Sequence, residues 1–242
     1  DAASRKATAA QRWYAGLPGG ALYRSEDAGL TWAKVADLQG HAPLYAVQTH
    51  PTDGRTVYVA STKGLFVSTD RGADLKPLGN LPAGEVTAVA VSATEPNHLY
   101  AVLRGQGLYE SLDAGQTFTL LREHPALWFF QNAGHPETMY LLGGDERNPG
   151  SLVSRDGGRT WTQLTQGLPS GELGRIGLSV CRSRPSTVYA IVHARGNTGG
   201  LYRSDDAGAT WRQMNPNNST AWYYGQVRCD PTDHEHVYRL GP

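Results

Sequence analysis

Lysine is scarce in this chain: 4 residues against 18 arginines in 242 positions. Cysteine and methionine each occur twice, and net charge is missing altogether, with 22 basic and 22 acidic groups in balance. A neutral chain has no overall field to draw it to nucleic acid or to an anionic membrane, so neither is an expected partner. No run approaches the roughly 20 apolar residues of a membrane-spanning helix, and membrane insertion is not expected. Cys181 and Cys229 lack metal-ligand spacing and the eight histidines are scattered, which leaves no metal or cofactor to expect. The opening stretch, DAASRKATAAQRWY, has no apolar signal core. An extracytoplasmic or secreted location is favoured over a cytoplasmic one, with no signal peptide in this chain.

What the chain does have is glycine and proline, 29 and 14 residues, beside 39% hydrophobic content. That mixture favours many short strands joined by tight turns. It is also repetitive. SEDAGLTW (25–32), STDRGADL (68–75), SLDAGQTF (111–118), SRDGGRTW (154–161) and SDDAGATW (204–211) share the pattern Ser-x-Asp-x-Gly-x-Thr-Trp. Their aspartates, Asp27, Asp70, Asp113, Asp156 and Asp206, are spaced by 43, 43, 43 and 50 residues. A second element keeps step: a Pro-containing turn leads into a strand bearing Tyr58, Tyr100, Tyr140, Tyr189 or Tyr238. With an apolar run before each turn and a GLYxS strand after each tyrosine, one repeat reads as four strands, a to d. A unit of about 40–45 residues with four strands is a propeller blade.

The recurring motif has a purely structural explanation. Ser25 and Asp27, and their counterparts, can hydrogen-bond turn amides. Gly29, Gly115, Gly158 and Gly208 can take positive φ. The threonines and Trp32, Trp161 and Trp211 are expected to begin strand d, where aromatic and β-branched residues pack well. These residues resemble the Asp-box, or bacterial-neuraminidase, repeat from about residue 13 onward. That resemblance implies a β-propeller like those of sialidases, xyloglucan-degrading hydrolases, the sortilin ectodomain and the photosystem II assembly factor. The copy at Asp70 departs from the pattern, with Asp74 and Leu75 in place of Thr and an aromatic, and a looser turn is expected there.

The expected architecture is all-β: a 1–11 extension, then one propeller domain over 12–242. Five blades would close by joining strands a and b of 222–242 to strands c and d of 19–35. Tyr14, in RWYAGLPGG, also looks like a strand b residue, so six blades or part of a larger propeller are the alternatives. Cys181 and Cys229 end strand a of consecutive repeats, at similar heights; the alternatives are a disulfide and buried free thiols, and thiols are favoured because inner strands of adjacent blades usually lie too far apart for a disulfide's narrow geometry.

Recognition is expected on the face carrying the b–c and d–a loops. Trp128-Phe129-Phe130 and Trp222-Tyr223-Tyr224 lie just ahead of strand a, and Trp128, Phe130, Trp222 and Tyr223 could stack on a sugar or anchor a protein. Arg147, Arg175 and Arg195, with Arg104, could pair with carboxylates of a partner. A glycosidase needs two carboxylates across one bond. Glu85, Glu123, Asp145, Glu146 and Glu172 lie on that face, with Asp145 and Glu172 the weak candidates for such a pair. No sialidase-type RIP element is present. The favoured reading is therefore a non-catalytic recognition or assembly module for a protein or polysaccharide. The alternative is a glycoside hydrolase or carbohydrate-binding relative of the xyloglucan-degrading enzymes.

Overall fold

The structure is a computed structural model that describes residues 12–38, 42–126, 128–132, 134–142, 151–170, 176–194, 196–216 and 226–240. The described residues are strands and turns, with one short 3-10 turn at Gly196–Thr198. They divide into two compact units, one ending at Glu123 and the other starting at His124.

In the first unit, β1 (Trp13–Gly16), β2 (Ala21–Ser25) and β3 (Ala33–Asp37) form a three-stranded sheet. A four-stranded sheet follows: β4 (Leu44–Thr49), β5 (Val57–Ser61), β6 (Gly64–Ser68) and β7 (Lys76–Pro77). The next is built from β8 (Val86–Val91), β9 (Leu99–Leu103), β10 (Gly107–Ser111) and β11 (Thr119–Arg122). The second unit opens with β12 (Trp128–Asn132), β13 (His135–Leu142), β14 (Leu152–Ser154) and β15 (Thr162–Gln163). It continues with β16 (Ile176–Val180), β17 (Val188–Val192), β18 (Gly200–Ser204) and β19 (Arg212–Asn215), and then the pair β20 (Gln226–Cys229) and β21 (Val237–Leu240). Every paired strand is antiparallel to its sequence neighbour, so each sheet is a simple meander.

The second strand of each four-stranded sheet is buried on both faces, which is why it reads as a continuous apolar run. Along β5, Val57 and Val59 enter a core with Leu22 and Leu44, while Tyr58 and Ala60 enter another with Val86 and Leu99. Along β17, Val188, Ala190 and Val192 pack with Tyr140 and Leu178, while Tyr189 and Ile191 pack with Val227. Each such aliphatic side chain contributes about 1.5–3 kcal/mol of burial. The fourth strands are the opposite case, and all four residues of β19 are exposed.

In the five-bladed closure expected from the sequence, the C-terminal strands lay beside β2. Here β2 has β1 on one side and β3 on the other, so its hydrogen-bonding edges are both taken. Tyr14 does occupy a second-strand position, paired with Arg24.

Four of the five motif turns share one full hydrogen-bond pattern. Ser204 donates to Asp206 Oδ1 at 2.7 Å and accepts from the Gly208 amide at 2.7 Å. Asp206 in turn accepts from the Thr210 amide at 2.8 Å and its hydroxyl at 2.6 Å. Ser25, Asp27, Gly29 and Thr31 repeat these bonds at 2.7–2.8 Å. So do the turns at Asp113 and Asp156. Two successive residues adopt left-handed backbone in each turn, Ala207 at φ 54° and Gly208 at φ 81° in the last. A non-glycine residue there costs roughly 1–2 kcal/mol. The bonds around it offset that cost, including one across the sheet: the Ala207 amide donates to Ser186 O at 2.8 Å. Arg71, Ala114 and Gly157 make the same bond to Arg55, Asn97 and Glu137. That bond joins the motif turn to the turn preceding the tyrosine strand, which is why the two elements keep step in the sequence.

Tryptophan departs from its expected place. The fourth strand begins one residue later, at Ala33, Thr162 and Arg212. The indole Nε1 instead folds back to donate to the motif glycine carbonyl, at 3.0 Å from Trp32, 2.9 Å from Trp161 and 3.2 Å from Trp211. The variant turn at Asp70 keeps Ser68 to Asp70 at 2.6 Å, Gly72 to Ser68 at 2.8 Å and the Asp74 amide to Asp70 at 2.9 Å. It has no threonine hydroxyl to add the last bond, and Leu75 packs into the core instead.

The cysteines correct the sequence reading. Cys181 and Cys229 form a disulfide, with Cα atoms 5.2 Å apart. First strands of adjacent sheets do approach closely at this end, where the Cys229 amide donates to Ser179 Oγ at 2.9 Å. Nearby, Arg203 grips Glu235 through both terminal nitrogens at 2.6 and 2.8 Å, and Tyr189 donates to His234 O at 2.9 Å. The two-stranded β20–β21 pair, marginal alone, is thereby fastened to β16–β19.

Candidate ligand-binding site

The first strands of the three sheets in the second unit surround a pocket of about 100 Å³. Trp128 and Phe130 on β12, Ile176, Gly177 and Leu178 on β16, Gln226 and Arg228 on β20, and Leu142 line it. Strand alternation sets this lining: Trp128 and Phe130 share one side of β12, and buried Phe129 points to the other. Gln226 and Arg228 are the exposed alternate residues of β20, with Val227 between them in the core. Gly177 contributes only backbone to the lining.

The pocket lies toward the strand ends that lead to the b–c loops, since Trp128 pairs with Leu142, Ile176 with Val192 and Gln226 with Leu240. The disulfide joins β16 and β20 near their opposite ends. Chemically the site offers an aromatic and aliphatic floor, one side-chain amide and one guanidinium. Arg228 spends Nη1 on Val227 O at 2.8 Å, and no carboxylate of the described residues pairs with it. None of the lining residues is acidic. A space this size holds one ring or one branched side chain, well below the roughly 300–1,000 Å³ of a typical small-molecule site.

Of the residues singled out in the sequence, Trp128 and Phe130 are brought together here. Asp145, Arg147, Glu172, Arg175, Arg195, Trp222 and Tyr223 lie outside the described residues. Gln226 and Arg228 were missed; the signal available was the period-2 alternation of QVRC ahead of a Pro-containing turn. In the first unit, Arg104 binds Glu85 at 2.8 Å and lies over the Tyr45 ring, 5.5 Å from its centre. Tyr45 donates to Glu85 at 3.2 Å, and burial, aided by that carboxylate, raises the phenol's pKa. Glu85 is thus engaged on two sides. The described residues contain no cluster of three or more metal-ligating side chains.

The motif aspartates are electrostatically settled too. Hydrogen bonds from the Thr31 amide and hydroxyl hold Asp27 at about 2. The hydroxyl and amide of Thr117 and of Thr160 do the same for Asp113 and Asp156, each at about 2. At Asp206 burial works the other way, but the Thr210 and Ser204 bonds outweigh it and the carboxyl is lowered. Carboxylates held this firmly ionised are poor proton donors, as a structural role requires.

Comparison with known proteins agrees with this architecture. The model of the Sortilin-Vps10 family (sortilin, neurotensin receptor 3) matches residues 20–149. A xyloglucanase from Paenibacillus sp is 26% identical over 226 residues, covering 88% of this chain and 21% of the enzyme. The curated relatives it matches are all much longer, and the chain spans 21–32% of their length. Among solved structures, the GH74 xyloglucanase of Xanthomonas campestris superposes with a TM-score of 0.74 at 22% identity, over 93% of this chain and 41% of that one. YCF48 bound to D1 peptide aligns with a TM-score of 0.55 at 15% identity, over 84% of this chain and 78% of that one. These likenesses establish the β-propeller fold class.

Proposed function

The chain belongs to the Sortilin-Vps10 family, and from that premise we propose that it is a non-catalytic recognition module. The observation that carries the proposal is the pocket walled by Trp128, Phe130 and Arg228, which can hold an apolar group and donate hydrogen bonds but has no acid–base pair. Its ligand is a protein or glycan partner that inserts one ring or branched side chain between the first strands. Peptide binding by YCF48 gives the protein reading a precedent on this fold. The Cys181–Cys229 disulfide supports an extracytoplasmic location, because such bonds persist in oxidising compartments.

Similarity to xyloglucanases over 88% of the chain favours one second reading, a glycan-binding or glycan-cleaving relative. Asp145 and Glu172 remain its acid–base candidates. One experiment separates the two. The full chain is titrated with xyloglucan oligosaccharides while tryptophan fluorescence and reducing-sugar release are recorded together. A recognition module gives no release, with or without saturable binding. Steady release abolished by Glu172→Gln or Asp145→Asn would replace it with a hydrolase.

A further inference from the structure

Eight residues before each of Tyr58, Tyr100, Tyr140, Tyr189 and Tyr238 stands the residue that opens the turn between the first two strands. Four of these five accept the turn's own amides: His50 from Asp53 at 2.9 Å, Ser92 from Glu95 at 3.2 Å, Asn132 from Gly134 at 3.0 Å and Asp230 from Thr232 at 2.9 Å. Cys181 is the fifth, and its side chain leaves the turn to bond Cys229 on the next first strand. This repeat has exchanged a local cap for a link between sheets.

The link bears on the spacing of the pocket walls. Strands β16 and β20 belong to separate sheets, so no ladder of backbone bonds fixes the distance between them. Side chains set it instead: the disulfide, Ser179 Oγ on the Cys229 amide, and Val227 packed against Tyr189 and Ile191. Arg228, which lines the pocket, is the residue next to Cys229. We propose that the Cys181–Cys229 disulfide is a redox latch on this pocket, a regulation that rests on reading the pocket as a recognition site. Oxidised, it holds Gln226 and Arg228 across from Ile176 and Leu178. Reduced, β20 keeps its apolar contact through Val227 but is free to shift against β16. The reductant is a dithiol. Its thiolate attacks Cys229 Sγ, because Cys229 is half-buried and Cys181 fully buried. A bond from the reductant to Cys229 forms as the Cys181–Cys229 bond breaks, and Cys181 leaves as a thiolate that takes up a proton. The reductant's second thiol then displaces Cys229. Two electrons and two protons pass to the protein, and the dithiol leaves as a cyclic disulfide.

The full chain tests this with a cysteine-free peptide, selected on the oxidised protein from a displayed library and weakened by Trp128→Ala. Reduction by a dithiol is expected to weaken that peptide about tenfold, as loss of a pre-organised wall does. The near-ultraviolet spectrum should stay folded, and reoxidation should restore binding. The double variant Cys181→Ser, Cys229→Ser should bind as the reduced protein does and ignore the reductant. Because coupling is reciprocal, saturating peptide should lower the reduction potential of the disulfide by the same factor, about 30 mV for a two-electron couple. Equal affinity in both redox states, or a potential that the peptide does not move, would overturn the latch and leave the recognition site standing. A reduced protein that unfolds would also overturn it, making the bond a staple of the fold. If no selected peptide is weakened by Trp128→Ala, the recognition reading falls and the latch falls with it.

Discussion

The first and last motif turns are nearly the same string, LYRSEDAGLTW and LYRSDDAGATW, and they make the same hydrogen bonds to within about 0.1 Å around the serine and aspartate. Their tryptophans nevertheless differ in exposure, 42% for Trp32 and 6% for Trp211. The turn is local chemistry closed within eight residues, so equal sequence gives equal geometry. Burial depends on the neighbour: Trp211 has Gln166 and Leu164 of the preceding sheet around it, and Trp32 has its own sheet.

That contrast can be tested in three ways. The largest expected effect is Trp211→Ala, which removes a buried indole and should cost about 3–5 kcal/mol in denaturant unfolding. Trp32→Ala should cost about 1 kcal/mol or less by the same measurement, as surface changes generally do. Equal costs would show that the two sites are equally packed in solution. Next come Ser25→Ala and Ser204→Ala, which each take the serine acceptor from a glycine amide and remove one of the bonds to an aspartate. Because both serines are buried and bonded alike, each should cost about 1–3 kcal/mol, and by similar amounts. A large difference would mean that the local bonds are not equivalent.

The third effect is graded and acidic. Folded values of about 2 for Asp27, Asp113 and Asp156 lie below the ~3.9 of an unfolded aspartate. Their contribution is therefore complete above about pH 4 and is lost as pH falls through about 2. The thermal midpoint should drop over that window, and Asp113→Asn should make the drop shallower. A midpoint unchanged down to pH 2 would remove the turn bonds from the stability account.

The same distinction explains what the sequence made legible. Ser-x-Asp-x-Gly, the tyrosine strand and the turn between them close on themselves within one repeat, so fold class and strand order can be read directly. Trp128 and Phe130 were legible as an aromatic cluster. Arg228 was not, because its place in the pocket arises only when β12, β16 and β20 stand side by side. The disulfide was misjudged for the same reason: the gap between Cys181 and Cys229 is set by how two sheets converge, not by either strand. Ring closure through β2 failed on a competitor, since Trp13–Gly16 already fills the edge assigned to the C-terminal strands.

The central claim is that the pocket at Trp128 and Arg228 is a recognition site, and calorimetry tests it most directly. Peptides would be selected on the full chain from a displayed library and then titrated into wild type, Trp128→Ala and Arg228→Ala. The expected result is at least a tenfold loss of affinity in each variant, with the thermal midpoint of Arg228→Ala unchanged. Peptides that bind both variants as tightly as wild type would place recognition elsewhere and contradict the account.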